Sequence, residues 1–193
     1  MEKDRLLAFS DGVIAIIITI MVLELRPPHE ATLEALQPLA PVFLSYVLSF
    51  AYVAIYWNNH HHMMATVERV NGAILWANML LLFFLSLLPF STAWLGEAVG
   101  AKWPTITYGV SLLMPALAYT LLQNTIIAAH GKTSTLARAV GDDWKGKTSL
   151  LLYITGIALA FAQPRWAHWI FVAVALIWLV PDKRIERVVA QER

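Results

Sequence analysis

The sequence predicts an all-α membrane protein, built as a single domain over residues 1–193 and containing six transmembrane helices. The chain is 59% hydrophobic and 14% charged, with a mean hydropathy of +0.61, whereas soluble domains carry about 25% charged residues. A membrane-spanning helix needs about 20 apolar residues, and apolar runs near this length recur between polar or proline-containing breaks. The predicted spans are residues 8–25, 39–59, 71–95, 104–129, 148–163 and 166–181.

The first predicted span begins with a carboxylate at the edge of an apolar run. Asp11 follows Phe9 and Ser10 and precedes the apolar segment 13–23. An ionisable side chain at membrane depth is costly and persists where it has a partner or faces water, so we expect Asp11 to bond a neighbouring helix. Residues 1–5 carry charges of both signs, and no small-residue cleavage pattern follows the apolar run. We therefore expect this helix to be retained rather than cleaved as a signal peptide.

A helical projection divides the first span into two faces. At about 100° per residue, Ile16 and Leu23 lie about 20° apart and Thr19 lies about 60° from Ile16. Asp11 lies about 140° from Ile16 and points elsewhere. The stripe of Ile16, Thr19 and Leu23 could line a pore, because apolar rings gate by dewetting and hydroxyls replace part of an ion's water. On geometry alone, packing against lipid or the protein core is the simpler interpretation.

Polar residues near the end of the second span and the start of the third are candidate partners for Asp11. His60, His61 and His62 are adjacent and point about 100° apart on a helix, so they cannot jointly chelate one metal ion. We predict no metal site and no cofactor, and we expect His60 or His61 to meet Asp11. Asn71 and Asn78 are seven residues apart and share a helix face. The predicted polar network on the cytoplasmic side joins Arg5, Ser10, Asp11, one of these histidines and an asparagine.

The later spans and the loops predict how the chain is oriented. Pro115 is expected to kink the fourth span, and the short last two spans, joined by a tight turn at 163–165, could instead form a partly re-entrant hairpin. Positive residues favour the cytoplasmic side, and with both termini inside, 11 of the 14 basic residues lie there against 3 outside. The inner residues are Lys3, Arg5, Arg69, Lys132, Arg138, Lys145, Lys147, Lys183, Arg184, Arg187 and Arg193, and the outer residues are Arg26, Lys102 and Arg165.

Several function classes lack the motifs that they require. The sequence contains no cysteine, which excludes disulfides and cysteine-based metal sites. His-Glu-x-x-His and Gly-x-Ser-x-Gly are absent, so no enzyme is predicted, and no nucleic-acid partner is expected. Gly131-Lys132-Thr133, in the longest polar connection, looks like the end of a phosphate-binding loop, but the upstream glycine and strand that such a loop needs are missing.

The opening motif resembles that of a known family. Arg5-x-x-x-Phe9-Ser10-Asp11-Gly12-Val13 is similar to the start of the first helix in the transmembrane protein 175 family, the endosomal and lysosomal potassium channels and their prokaryotic relatives. Trp57 followed by His60 and His61, and Leu88-Pro89-Phe90-Ser91-Thr92, are further similarities. The second half of the chain matches only in hydropathy.

The resemblance implies a potassium-permeable channel whose constriction is formed by Ile16, Thr19 and Leu23. Animal members carry two six-helix repeats and dimerise, whereas this chain looks like the short prokaryotic form, a homotetramer around a central pore lined by the first helix. The Phe-Ser-Asp motif is implied to hold the helices together on the cytoplasmic side. The structural polar network is then expected to comprise Arg5, Phe9, Ser10, Asp11, Trp57, His60, His61, Asn71 and Asn78.

We therefore predict a homotetrameric potassium channel in the cell (plasma) membrane, with potassium ions and the lipid bilayer as its partners. The alternative is a proton-coupled secondary transporter that uses Asp11 and a histidine as a relay. A membrane scaffold without transport activity is a third possibility.

Overall fold

The described structure, a computed structural model that covers residues 2–179, is built of α-helices joined by loops and turns. Within this range there are seven α-helices of ten or more residues and one of six residues. The helices are α1 Lys3–Leu23, α2 Ala40–Ala65, α3 Gly72–Leu85, α4 Leu88–Glu97, α5 Lys102–His130, α6 Thr135–Val140, α7 Trp144–Ala160 and α8 Pro164–Leu179, with a 3-10 helix at Glu34–Leu39 before α2. The predicted all-α fold of apolar helices is confirmed.

The predicted number of six helices is wrong, because the segment 71–95 contains two helices and the loop after α5 contains a short one. The break falls at Ser86 and Leu87, just before Pro89 at the second position of α4. Proline donates no backbone hydrogen bond, and its ring clashes with the carbonyl four residues earlier, which here belongs to Leu85, the last residue of α3. A single uninterrupted helix is therefore disfavoured at this point.

Four segments of the described chain are long and apolar enough to cross a bilayer. They are Lys3–Leu23, Glu34–Ala65, Gly72–Glu97 and Lys102–His130, the third of which includes both α3 and α4. α7 and α8 have 17 and 16 residues. The last two positions of the predicted span 166–181 lie outside the described residues, as do Lys183, Arg184, Arg187 and Arg193 from the inner basic set.

Glycines bring the last three long helices close together around one aromatic ring. Phe171 of α8 is fully buried. A Cβ atom at Gly109 of α5 would lie 2.7 Å from this ring, and a Cβ atom at Gly156 of α7 would lie 2.6 Å from it. Since real Cβ atoms do not approach this closely, α5, α7 and α8 can pack at this distance only with glycine at both positions.

Candidate pore-lining helix and its polar anchor

One face of α1 packs into the protein core. Leu6, Ser10, Ile14, Ile17 and Met21 recur every three or four residues and are all buried. This spacing is that of a helix with one covered side. The neighbours of α1 are α2, α3 and α4, so this face of the helix packs against three others.

A chain of hydrogen bonds ties the covered face of α1 to α3 and α2. Asn78 donates from Nδ2 to the Ser10 hydroxyl at 3.0 Å, and its Oδ1 lies 2.7 Å from His60 Nε2. The Ser10 hydroxyl donates onward to the Leu6 carbonyl at 2.8 Å. Because the Asn78 oxygen can only accept, His60 must carry its hydrogen on Nε2. His60 Nδ1 is then an acceptor, and it is buried without a partner in the described part of the chain.

Asp11 makes a second link between α1 and α2, through tryptophan rather than histidine. The Trp57 indole donates from Nε1 to Asp11 Oδ1 at 3.0 Å. The ring of His61 lies beside that of Trp57, with 6.2 Å between their centroids. The structure therefore gives Asp11 the partner on a neighbouring helix that its position in the sequence led us to expect, but the contacting residue is Trp57.

Three residues of the predicted network lie apart from these two links. Asn71 caps α3, where its side-chain oxygen accepts from the Ile74 backbone N–H at 2.9 Å. Arg5 and Phe9 are both exposed and are one helical turn apart on α1. The structure thus brings Ser10, Asn78 and His60 together and pairs Asp11 with Trp57, while Arg5, Phe9 and Asn71 lie elsewhere.

The opposite face of α1 is left open by the described chain. Ile16 is 58% exposed and Leu23 is 76% exposed, and a Cβ atom added at Gly12 would meet none of the described atoms within 4 Å. Thr19 is also exposed, and its hydroxyl donates to the Ile16 carbonyl at 2.9 Å. This bond occupies the Thr19 hydrogen and leaves the oxygen free to accept or to coordinate a cation.

A groove of about 720 Å³ runs alongside this open face, between α1 and α4. Ile16 and Ile20 are among the α1 residues that line it, and Phe90 and Trp94 are among those of α4. The sequence reasoning missed this contribution from α4. Phe90 and Trp94 are four residues apart in the sequence, and this aromatic pair one helical turn apart is the signal that could have revealed it.

No group of three or more His, Asp or Glu side chains in residues 2–179 is arranged to hold a metal ion. The open side of α1 thus presents mainly apolar surface and the Thr19 hydroxyl, with the carboxylates of Glu24 and Glu97 also lining the groove.

These helices define a multi-pass helical membrane protein. The sequence profile described as "Endosomal/lysosomal potassium channel TMEM175" matches residues 5–89. A protein from Chryseobacterium named "Potassium channel HX13_20290" is 54% identical over 187 residues, covering 97% of each chain. The chain belongs to the TMEM175 family, and the resemblance identified from its motifs is confirmed.

Two further relatives extend the comparison. The crystal structure of a lysosomal potassium-selective channel TMEM175 homologue from Chamaesiphon minutus superposes with a TM-score of 0.81 at 27% identity, covering 94% of this chain and 98% of that one. The human "Endosomal/lysosomal proton channel TMEM175" is 33% identical over 103 residues, which are 47% of this chain and 20% of the human protein. The family and these relatives are ion channels, not enzymes.

Proposed function

We propose that this protein is a potassium-permeable cation channel of the cell (plasma) membrane, with both termini in the cytoplasm. Four copies surround a central pore lined by α1, and Ile16, Thr19 and Leu23 form its constriction. The observation that carries this proposal is the open face of α1. Leu23 on this face is 76% exposed, whereas the opposite face of the same helix is buried.

The chemistry of the open face fits an ion path with a hydrophobic gate. Rings of branched apolar side chains at Ile16 and Leu23 would exclude water when narrow and admit it when wider. Between them, the Thr19 oxygen offers a cation a partial replacement for its hydration shell. The Chryseobacterium and Chamaesiphon relatives are both named potassium channels, and this supports potassium as the ion.

A single subunit cannot enclose a pore with one stripe of side chains. Closed rotational symmetry solves this problem, because each copy contributes the same stripe to a shared axis. The groove between α1 and α4 offers a neighbouring subunit an apolar surface, with Phe90 and Trp94 at its wall. The polar network on the covered face then has a structural role, since it fixes the rotation of α1 and hence the direction of the stripe.

Potassium flux from liposomes containing the purified protein tests the pore assignment. We expect Ile16→Asn and Leu23→Asn to increase flux and weaken the preference for potassium over sodium, because polar rings remove the dewetting barrier. Thr19→Val, which removes the hydroxyl at nearly constant shape, should lower the potassium preference.

Matched controls are available on α7. Ile154 and Leu151 are 55% and 65% exposed, so Ile154→Asn and Leu151→Asn place the same polar groups on a comparably exposed surface outside the proposed pore. If wild-type protein passes no potassium, or if the α1 and α7 variants behave alike, the pore assignment is wrong.

A proton-coupled transporter remains the second candidate, because His60 Nδ1 is a buried, unpartnered acceptor in the described chain and the human relative is named a proton channel. In this case Asp11→Asn and His60→Gln should abolish pH-driven, saturable uptake of a solute, and unitary currents should be absent. The pairing of Asp11 with Trp57 rather than with a histidine favours the channel.

A further inference from the structure

A polar cavity lies far along the chain from the open face of α1, where the loop after α2 meets the loop after α5. Its volume is about 430 Å³, within the range of about 300–1,000 Å³ typical of small-molecule sites. The first loop contributes Glu68, Arg69 and Asn71, and the second contributes Thr133 and Arg138 among others. Both loops belong to the side that the basic residues predict to be cytoplasmic.

His130 holds the two walls of the cavity together. Its Nε2 accepts hydrogen bonds from the backbone N–H groups of Glu68 and Arg69, at 3.2 and 3.4 Å. Its Nδ1 lies 3.0 Å from the Ile126 carbonyl, so the ring hydrogen must be on Nδ1. Both ring nitrogens of His130 are therefore hydrogen-bonded, and together these bonds attach the loop after α2 to the end of α5.

The side chains that line the cavity are rich in hydrogen-bond donors. Arg69 and Arg138 are both exposed and carry guanidinium groups, which match phosphate oxygens in bidentate geometry. Asn71 uses its oxygen to cap α3, which leaves its amide hydrogens for another partner. Thr133 adds an exposed hydroxyl. Of the described residues that line the cavity, Glu68 is the one carboxylate, so the charge balance is positive.

We propose that this cavity binds a phosphoryl group, presented either by the headgroup of an anionic phospholipid or by a free phosphate. Basic pockets beside transmembrane helices on the cytoplasmic side are suited to anionic headgroups, and a cavity lined by two arginines and several neutral donors fits that chemistry. The site does not depend on the proposed pore. Six of its ten lining residues, from Ala129 onward, lie beyond the region matched by the family profile.

The proposal can be tested by thermal unfolding of the full chain in a nonionic detergent. The probes are phosphatidic acid against phosphatidylcholine in mixed micelles, and inorganic phosphate against sodium chloride at equal ionic strength. A ligand that binds the folded state raises the unfolding temperature. We expect a saturable rise with phosphatidic acid, with phosphate or with both, and its loss in the double variant Arg69→Gln/Arg138→Gln.

The double variant Arg26→Gln/Arg165→Gln is a matched control, because it removes the same charge from exposed arginines at the predicted outer side and should keep the response. A rise with phosphatidic acid alone identifies a lipid site, and a rise with both probes identifies a site open to free phosphate. No rise with either probe, or an equal rise in both double variants, would overturn the proposal. The titration of the wild-type protein tests the proposal even if a variant does not fold. The double variant Arg69→Lys/Arg138→Lys keeps both charges but loses the bidentate guanidinium geometry, so it should respond more weakly than wild type.

Discussion

Asn78 uses both ends of its carboxamide to join α1 and α2 through α3. Removing it in Asn78→Ala leaves the buried Ser10 oxygen and the His60 Nε2–H without this partner. An orphaned buried polar group costs about 1–3 kcal/mol in soluble proteins, and each hydrogen bond between membrane helices contributes about 0.6 kcal/mol on average. We expect a loss of at least about 1 kcal/mol in the free energy of unfolding, measured by denaturation in detergent.

Asn124→Ala provides the control for this residue, because Asn124 is exposed on α5. Equal stability of the two variants would show that the Asn78 bonds contribute nothing.

Asn78 was predictable as a network member from its place in an apolar span. Its partner was not, because three adjacent histidines point in three directions and only the packed position of α2 selects His60. Asn71 was misplaced because the sequence alone does not tell a helix cap from a residue inside the span.

At the scale of the helices, two glycines distinguish a packed face from an open one. Gly156→Ala would push a Cβ atom to within 2.6 Å of the Phe171 ring, and overpacking of this kind costs about 1–3 kcal/mol. Gly12→Ala meets no described atom within 4 Å, so it should leave the subunit intact and gain about 0.5–1 kcal/mol of helix propensity. The measurement is the unfolding temperature of each variant in detergent.

Two readouts separate the roles of these glycines. If Gly156→Ala is as stable as wild type, the close packing of α7 on α8 is not tight in solution. If Gly12→Ala is at least as stable as wild type but alters potassium flux, the open face of α1 contacts other groups only in the assembled channel.

The helices themselves differ in how far the sequence predicts them. The predicted span 104–129 lies within α5. It could be predicted as one helix because its apolar composition continues on both sides of Pro115. The division of α3 from α4 was not predicted, since hydropathy stays high across Ser86 and Leu87 and the interruption is a matter of backbone geometry. Pro89 was the available signal, because a proline four residues after Leu85 disfavours a continuous helix there.

At the scale of the whole molecule, the proposed channel requires several copies of the chain. We expect light scattering of the purified protein, corrected for detergent, to give about four times the chain mass of 21.6 kDa, which is the mass of the proposed homotetramer. A strictly monomeric particle would contradict the pore assignment and favour the transporter.

The absence of cysteine from the sequence makes site-specific cross-linking straightforward. Leu23→Cys should be joined between subunits by a short bis-maleimide, because its side chain faces the shared axis in the proposed assembly. Leu151→Cys, on the exposed side of α7, is the control and should stay uncoupled. Equal coupling at both positions would mean that α1 is not at the centre.

The one-sided burial of α1 has a consequence for the cell. Under the proposed assembly, a newly made subunit carries only one quarter of the lining of the ion path, so by itself it would offer ions no route and could not dissipate the membrane gradient. Under the proposed assembly, leakage and conduction begin together, at the moment when the last copy closes the ring. A subunit with a damaging substitution at Ile16, Thr19 or Leu23 would then act dominantly, because every tetramer that contains it would have an altered constriction.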